Sequence, residues 1–139
     1  MAVVKHTNAE IKLLARLMRA EAEGEGKKGM LCVGNVVVNR CLARCYEFKN
    51  QKTIEAVVMK KPGGFEATSK GYFYQAARKV DIDLAKRNLN GEKFHPASYA
   101  LWFYNPFGEP CRSSWWDQSL TGKYKNHCFY SPDSKSNCY

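Results

Sequence analysis

Ile11, Leu14, Ala15, Met18 and Ala22 recur at steps of three and four, which places them on one face of a helix at about 100° per residue. Thr7 and Glu10 stand at capping-box spacing before that run, so the helix is predicted to start there. Gly24 and Gly26 are predicted to end it. A second helix is predicted over residues 29–45. It is apolar over most of its circumference and therefore central, with Gly34 admitting a neighbouring backbone. Thr53 caps a short third helix to about Met59, closed by Lys61-Pro62-Gly63-Gly64. Ala77, Val80 and Leu84 mark a fourth helix over residues 74–89, stopped by Asn90-Gly91, with Arg78, Lys79, Asp81, Asp83, Lys86 and Arg87 on a solvated face.

After Gly91 the texture changes. Residues 99–104 are aromatic-rich and are predicted as a buried strand broken by Asn105-Pro106. Residues 127–130 form a second short strand after a turn at Thr121-Gly122. Residues 107–118 are predicted as a loop between the two strands. Four helices beside a small antiparallel hairpin give an α+β class.

One domain spanning residues 1–139 follows from the length, with its core over about residues 10–131, large enough to fold without metals or disulfides. The net charge of +9 points to a polyanionic neighbour. Lys and Arg are scattered, so no nucleic-acid module is expected. The N-terminus lacks the apolar core of a signal peptide and no apolar run approaches a membrane span, which implies cytoplasmic synthesis. The six cysteines make no pair of CxxC knuckles, so neither a zinc site nor a thiol oxidoreductase is expected. Cys32 is predicted as a buried thiol, and Cys128 with Cys138 as a pair in an oxidising compartment.

The candidate chemistry lies at the end of the first helix. Glu21 sits about 20° from Leu14 on the helical wheel, at the margin of the apolar stripe. Partial desolvation there would raise its pKa, as a general acid near neutral pH requires. The flanking glycines leave little bulk beside it, as a cleft for a polymer needs. The same three glutamates, Glu21, Glu23 and Glu25, also fit a solvated acidic helix end. Phe65, after Gly63-Gly64, either plugs the core or lines a cleft wall opposite Glu21. Trp115 and Trp116 stand in a hydrogen-bonding loop, where exposed indoles are costly unless they bind something such as a sugar face. One of the two is expected to anchor the loop in the core.

These motifs in this order resemble the SleB/CwlJ family of bacterial cell-wall hydrolases. The likeness is carried by Ala20-Glu21-Ala22-Glu23-Gly24-Glu25, Gly34-Asn35-Val36-Val37-Val38-Asn39-Arg40 and Pro62-Gly63-Gly64-Phe65-Glu66-Ala67. It continues with Trp102-Phe103-Tyr104-Asn105-Pro106, Ser114-Trp115 and Gly122-Lys123-Tyr124-Lys125-Asn126-His127-Cys128-Phe129. Gly71-Tyr72-Phe73-Tyr74-Gln75 and Phe94-His95-Pro96-Ala97-Ser98 are similar to the CwlJ branch.

The resemblance implies a lysozyme-like fold with Glu21 as the catalytic glutamate of a glycan groove. It places Phe65, Tyr72, Asn105, Trp115, Trp116 and His127 on the substrate-binding side, and it implies neither metal nor cofactor. The implied substrate is spore-cortex peptidoglycan, cleaved in germination by lytic transglycosylation as in the SleB branch. A hydrolase would need a second carboxylate, for which Glu25, Glu66 and Asp117 are the candidates. Arg19-Ala20 stands where the SleB pattern has Tyr-Gly, which leaves the cleavage type open. A spore-coat location outside the cortex, reached from the mother cell without secretion, and a coat-protein partner are also implied. A peptidoglycan-binding protein without activity is the rival reading.

Overall fold

Residues 2–61, 64–115, 118–133 and 137–139 are described by a computed structural model. Helix α1, Asn8–Ala22, begins at Thr7, whose hydroxyl accepts from the Glu10 amide while the Glu10 carboxylate accepts from the Thr7 amide. A 3-10 turn, Glu23–Glu25, joins it directly to α2, Gly26–Leu42. Gly26 makes the join at φ +80°, a conformation that favours glycine. Helix α3, Ile54–Val58, is capped by the Thr53 hydroxyl, and α4 spans Lys79–Leu89. The fourth helix therefore starts later than its periodicity predicts, because residues 71–74 close a separate 3-10 turn.

Helix α2 is buried on nearly every side, from Gly29 to Cys41. Its polar residues are buried as well, and each is answered by backbone. Asn35 donates to Glu92 O at 2.8 Å and accepts from the Phe94 amide at 2.7 Å. Asn39 donates to Ala100 O at 2.9 Å, and the Arg40 Nε donates to Leu101 O at 2.8 Å. Residues 92–101 are thus stitched along the central helix, which fixes where the following strand can lie. Gly34 admits the Asn88 side chain of α4 rather than a backbone, since a Cβ would sit 2.0 Å from Asn88 Oδ1.

Asp81 departs from the solvated face predicted for α4. It is fully buried and accepts from the Arg78 amide and guanidinium at 2.8–3.0 Å. Burial alone would raise its carboxyl, but the bonds to Arg78 hold it below its ordinary value.

The second half forms a four-stranded sheet rather than a hairpin. Its strands are β1 Trp102–Tyr104, β2 Ser114–Trp115, β3 Gln118–Tyr124 and β4 His127–Pro132, in the order β1-β4-β3-β2, with antiparallel pairing throughout. Thr121-Gly122, predicted as a turn, lies inside β3 at a register shift; the chain reverses at Lys125 and Asn126 instead. β1 registers Phe103 against Phe129 and Tyr104 against Cys128.

Two disulfides, Cys45–Cys138 and Cys111–Cys128, replace the predicted Cys128–Cys138 pair. Strand pairing turns Cys128 toward the loop that carries Cys111, and the C-terminal segment returns to the end of α2, where the Arg44 amide donates to Cys138 O at 2.7 Å. Cys32 and Cys41 are buried thiols. No helix among the described residues is long and apolar enough to cross a membrane.

Candidate active site

Glu21 lies one residue before the end of α1, on the side facing the loop after α3 and the sheet. Its Oε1 accepts the Ala67 amide at 3.1 Å, a contact spanning 46 residues of sequence. Burial raises its pKa above the ordinary 4.5. The Ala67 hydrogen bond and the positive charges of His127 and Arg40 oppose that rise, and the Glu66 carboxylate adds to it. The result is a carboxyl that keeps its proton more tightly than a solvated glutamate while remaining open to a groove.

That groove has a volume of about 1050 Å³. Glu21 and Arg40 line it together with Phe65, Phe103, Trp115 and His127. Phe65 takes both roles open to it: only 8% exposed, it packs in the core and lines the groove. Its ring stacks on Phe103 at 6.0 Å, and Phe103 stacks on Phe129 at 5.7 Å, so an aromatic ladder runs from the loop after α3 into the sheet. Trp115 packs edge-on against Tyr104 and Tyr130, 5.2 and 5.7 Å between centroids, and still lines the groove. Trp116 and Asp117 lie outside the described residues.

His127 is 8% exposed and meets Phe103 edge-on at 5.2 Å. Its Nδ1 approaches Glu25 Oε2 at 2.5 Å, close enough for an ion pair but not aligned as a hydrogen bond. Glu25 is therefore committed to His127 and is not among the groove-lining residues. The 3-10 turn folds it inward, over Gly29, where any Cβ would meet the Glu25 Cβ at 2.6 Å. Glu66 does line the groove. Asn105 lines it too, with its Oδ1 accepting the Phe107 amide at 2.7 Å. Tyr72 does not. It is 49% exposed on the 3-10 turn Gly71–Tyr74, outside the groove lining.

Two contributors escaped the sequence reading. Arg40 is 8% exposed at the groove, with its guanidinium 4.7 Å from the Phe65 ring centroid and 5.4 Å from that of Phe48. Burial lowers its pKa to about 10, so it stays charged at neutral pH. The available signal was its place in a helix apolar all round. Glu47, in the turn after α2, also lines the groove, and burial raises its pKa. Among the described residues no cluster of three or more His, Cys, Asp or Glu side chains gathers to hold a metal ion.

With this geometry in place, comparison with known proteins adds ancestry. The sequence model of the cell wall hydrolase family matches residues 24–130. A protein of Oceanobacillus iheyensis named cell wall hydrolase CwlJ is 58% identical over 132 residues, covering 95% of this chain and 93% of that protein. Its namesake in Bacillus subtilis is 48% identical over 98% of this chain and 94% of its own length. The spore cortex-lytic enzyme of Bacillus subtilis is 25% identical over 88% of this chain, which spans 38% of that longer protein. In three dimensions the chain superposes on the catalytic domain of the Bacillus cereus SleB protein with a TM-score of 0.72 at 23% identity, covering 91% and 93% of the two chains. That likeness assigns the fold, a lysozyme-like α+β domain. By sequence, the chain belongs to the SleB/CwlJ family of cell wall hydrolases.

Proposed function

We propose that this protein cleaves the glycan strands of spore-cortex peptidoglycan during germination, with Glu21 as general acid and then general base. The observation that carries the reading is the Glu21 carboxyl, held by the Ala67 amide and partly desolvated at an aromatic groove. At about 1050 Å³ the groove lies at the top of the ~300–1000 Å³ range of small-ligand pockets, so it has room for more than one sugar ring. The basic surface, net +9, favours an acidic polymer.

In the proposed reaction the protonated Glu21 gives its proton to the glycosidic oxygen as the bond from the anomeric carbon breaks. The resulting carboxylate takes the proton of the muramic-acid C6 hydroxyl, whose oxygen closes on the anomeric carbon as a 1,6-anhydro ring. One carboxyl serves both steps. Arg40, charged beside the groove, steadies Glu21 in its ionised interval. Hydrolysis is the second reading, favoured by Glu47 and Glu66 on the same groove; it requires a second carboxyl about 5–5.5 Å away for a nucleophile or about 6.5–9.5 Å for a base. The relatives' names, a cell wall hydrolase and a spore cortex-lytic enzyme, support action at the spore cortex; a place at the coat–cortex boundary, synthesis in the mother cell and a spore-coat partner belong to the proposal through the family resemblance alone.

Isolated cortex incubated with wild type and with Glu21→Gln tests the assignment. Wild type is expected to release muropeptides, with anhydro ends lighter than reducing ends by one water in mass spectrometry. Glu21→Gln is expected to bind cortex and release none. Undiminished release by that variant refutes Glu21 as the acid, and reducing ends alone select hydrolysis.

A further inference from the structure

Two groove-lining aromatics stand apart from the ladder around Glu21. Phe107 is 87% exposed and Tyr46 is 83% exposed, more than any other large apolar side chain described. Both line the groove, from different loops: Tyr46 follows α2, and Phe107 follows β1. Water contact over a whole phenyl ring is unfavourable by about 1.5–3 kcal/mol relative to burial, so each ring stays outside at a loss to folding.

Phe107 bears a second loss. Its φ is +50°, the left-handed region that a bulky L-residue rarely adopts. The turn enforces that angle: Asn105 Oδ1 accepts the Phe107 amide at 2.7 Å, Pro106 O accepts the Glu109 amide at 3.1 Å, and Gly108 follows at φ +88°. Glycine or asparagine would meet the same backbone with less strain. Among the described residues the Phe107 ring contacts no other aromatic ring and no cation.

Tyr46 is likewise held out by its neighbours. The adjacent Phe48 is 3% exposed in a cluster with Leu101 and Cys138, and Cys45 is bonded to Cys138. The turn is therefore pinned from within while Tyr46 projects, with Lys49 Nζ 4.4 Å from its ring centroid.

We propose that Tyr46 and Phe107 are sugar-stacking platforms at outer positions of the groove, gripping rings of the strand beyond those at Glu21 and selecting long glycan chains over short fragments. The proposal rests on the reading that the groove holds a glycan strand. A saccharide ring offers a flat C–H face that an exposed aromatic can cover, and the cost of exposing the two rings is recovered when such a face arrives.

The test measures binding, which does not depend on cleavage. In a Glu21→Gln background, affinities for peptide-free cortex glycan of long chain length and for its disaccharide unit are compared across Phe107→Ala, Tyr46→Ala and the aromatic-retaining Phe107→Trp. Each alanine variant is expected to bind long strands roughly two- to tenfold more weakly, the range for one aromatic contact. Phe107→Trp is expected to restore the affinity, and binding of the disaccharide is expected to hold. Since both side chains are exposed, thermal unfolding should not fall in either alanine variant. Unchanged affinity for long strands overturns the proposal and leaves Glu21 untouched. An equal loss on the disaccharide overturns it too, by placing the rings at the centre. A loss seen only with peptide-bearing strands overturns it in favour of a peptide contact. If Glu21→Gln cleaves normally while the platform variants bind weakly, the assignment of the acid fails and this one stands.

Discussion

The Cys45–Cys138 bridge joins residues 93 positions apart and closes most of the chain into a loop. In the loop-entropy description a bridge of this span, shortened by the nested Cys111–Cys128 link, stabilises the fold by roughly 4.5 kcal/mol at 25 °C. The nested bridge, 17 positions apart, contributes roughly 3 kcal/mol on the same basis. A chain of 139 residues has an unfolding entropy near 0.29 kcal/mol/K, so the losses correspond to about 15 °C and about 10 °C in Tm. The perturbation is the pair of double variants, Cys45→Ser with Cys138→Ser and Cys111→Ser with Cys128→Ser, followed by calorimetry with and without reductant. The first bridge also abuts the groove, because Tyr46, Glu47 and Phe48 follow Cys45 directly and all three line it. Glycan affinity should therefore fall with the first double variant at temperatures where it is still folded. A Tm that moves less for Cys45/Cys138 than for Cys111/Cys128, or that ignores reductant in wild type, refutes the reasoning.

The pH profile of cleavage tests the charges around Glu21. An acid is active while protonated, so the rate should fall through Glu21's pKa, above the ordinary carboxylate range. Glu66→Gln removes a negative charge that disfavours ionisation, and the alkaline limb should move to lower pH. His127→Gln removes a positive charge and should move it higher; shifts of one sign in both variants count against the assignment. Gly34→Ala should lower stability by about 2 kcal/mol, because overpacking against buried Asn88 outweighs the ~1 kcal/mol gain in helix propensity. Denaturant unfolding checks it, and a more stable variant would show that Asn88 moves aside freely.

The helices were legible where local chemistry decides them. Thr7 with Glu10 and Thr53 with Ala56 make the caps that their spacing announces, and the apolar faces of α1 and α2 face the core. β3 was hidden because Gln118–Tyr124 is mostly polar and carries Gly122, with Thr121 its one β-branched residue and Tyr124 its one aromatic, so no β-branched or aromatic run marks it. Disulfide partners were hidden for a different reason. Cys45 and Cys138 meet only because the chain end returns to α2, a tertiary event with no local signature. Asp81 looked like a surface charge because its partner, Arg78, is a neighbour whose reach over the helix start depends on its rotamer. At the site, Glu21 was marked by its place on the wheel, whereas Arg40 and the Glu25–His127 pair required the fold.

The candidate site lies where the legible half meets the hidden half. Glu21 comes from α1 and its hydrogen-bond donor from the turn at Ala67, while the rings facing it come from β1 and β4. What brings these halves into register is α2. Its Asn35, Asn39 and Arg40 take the backbone of residues 92–101 as their partners, because buried amides and a buried guanidinium must be satisfied. That backbone leads straight into β1, so the position of Phe103 opposite Phe65 is set by hydrogen bonds made along the central helix. The polar residues of an otherwise apolar helix thus place the groove, and Arg40 serves both duties, anchoring Leu101 through Nε while its charge bears on Glu21.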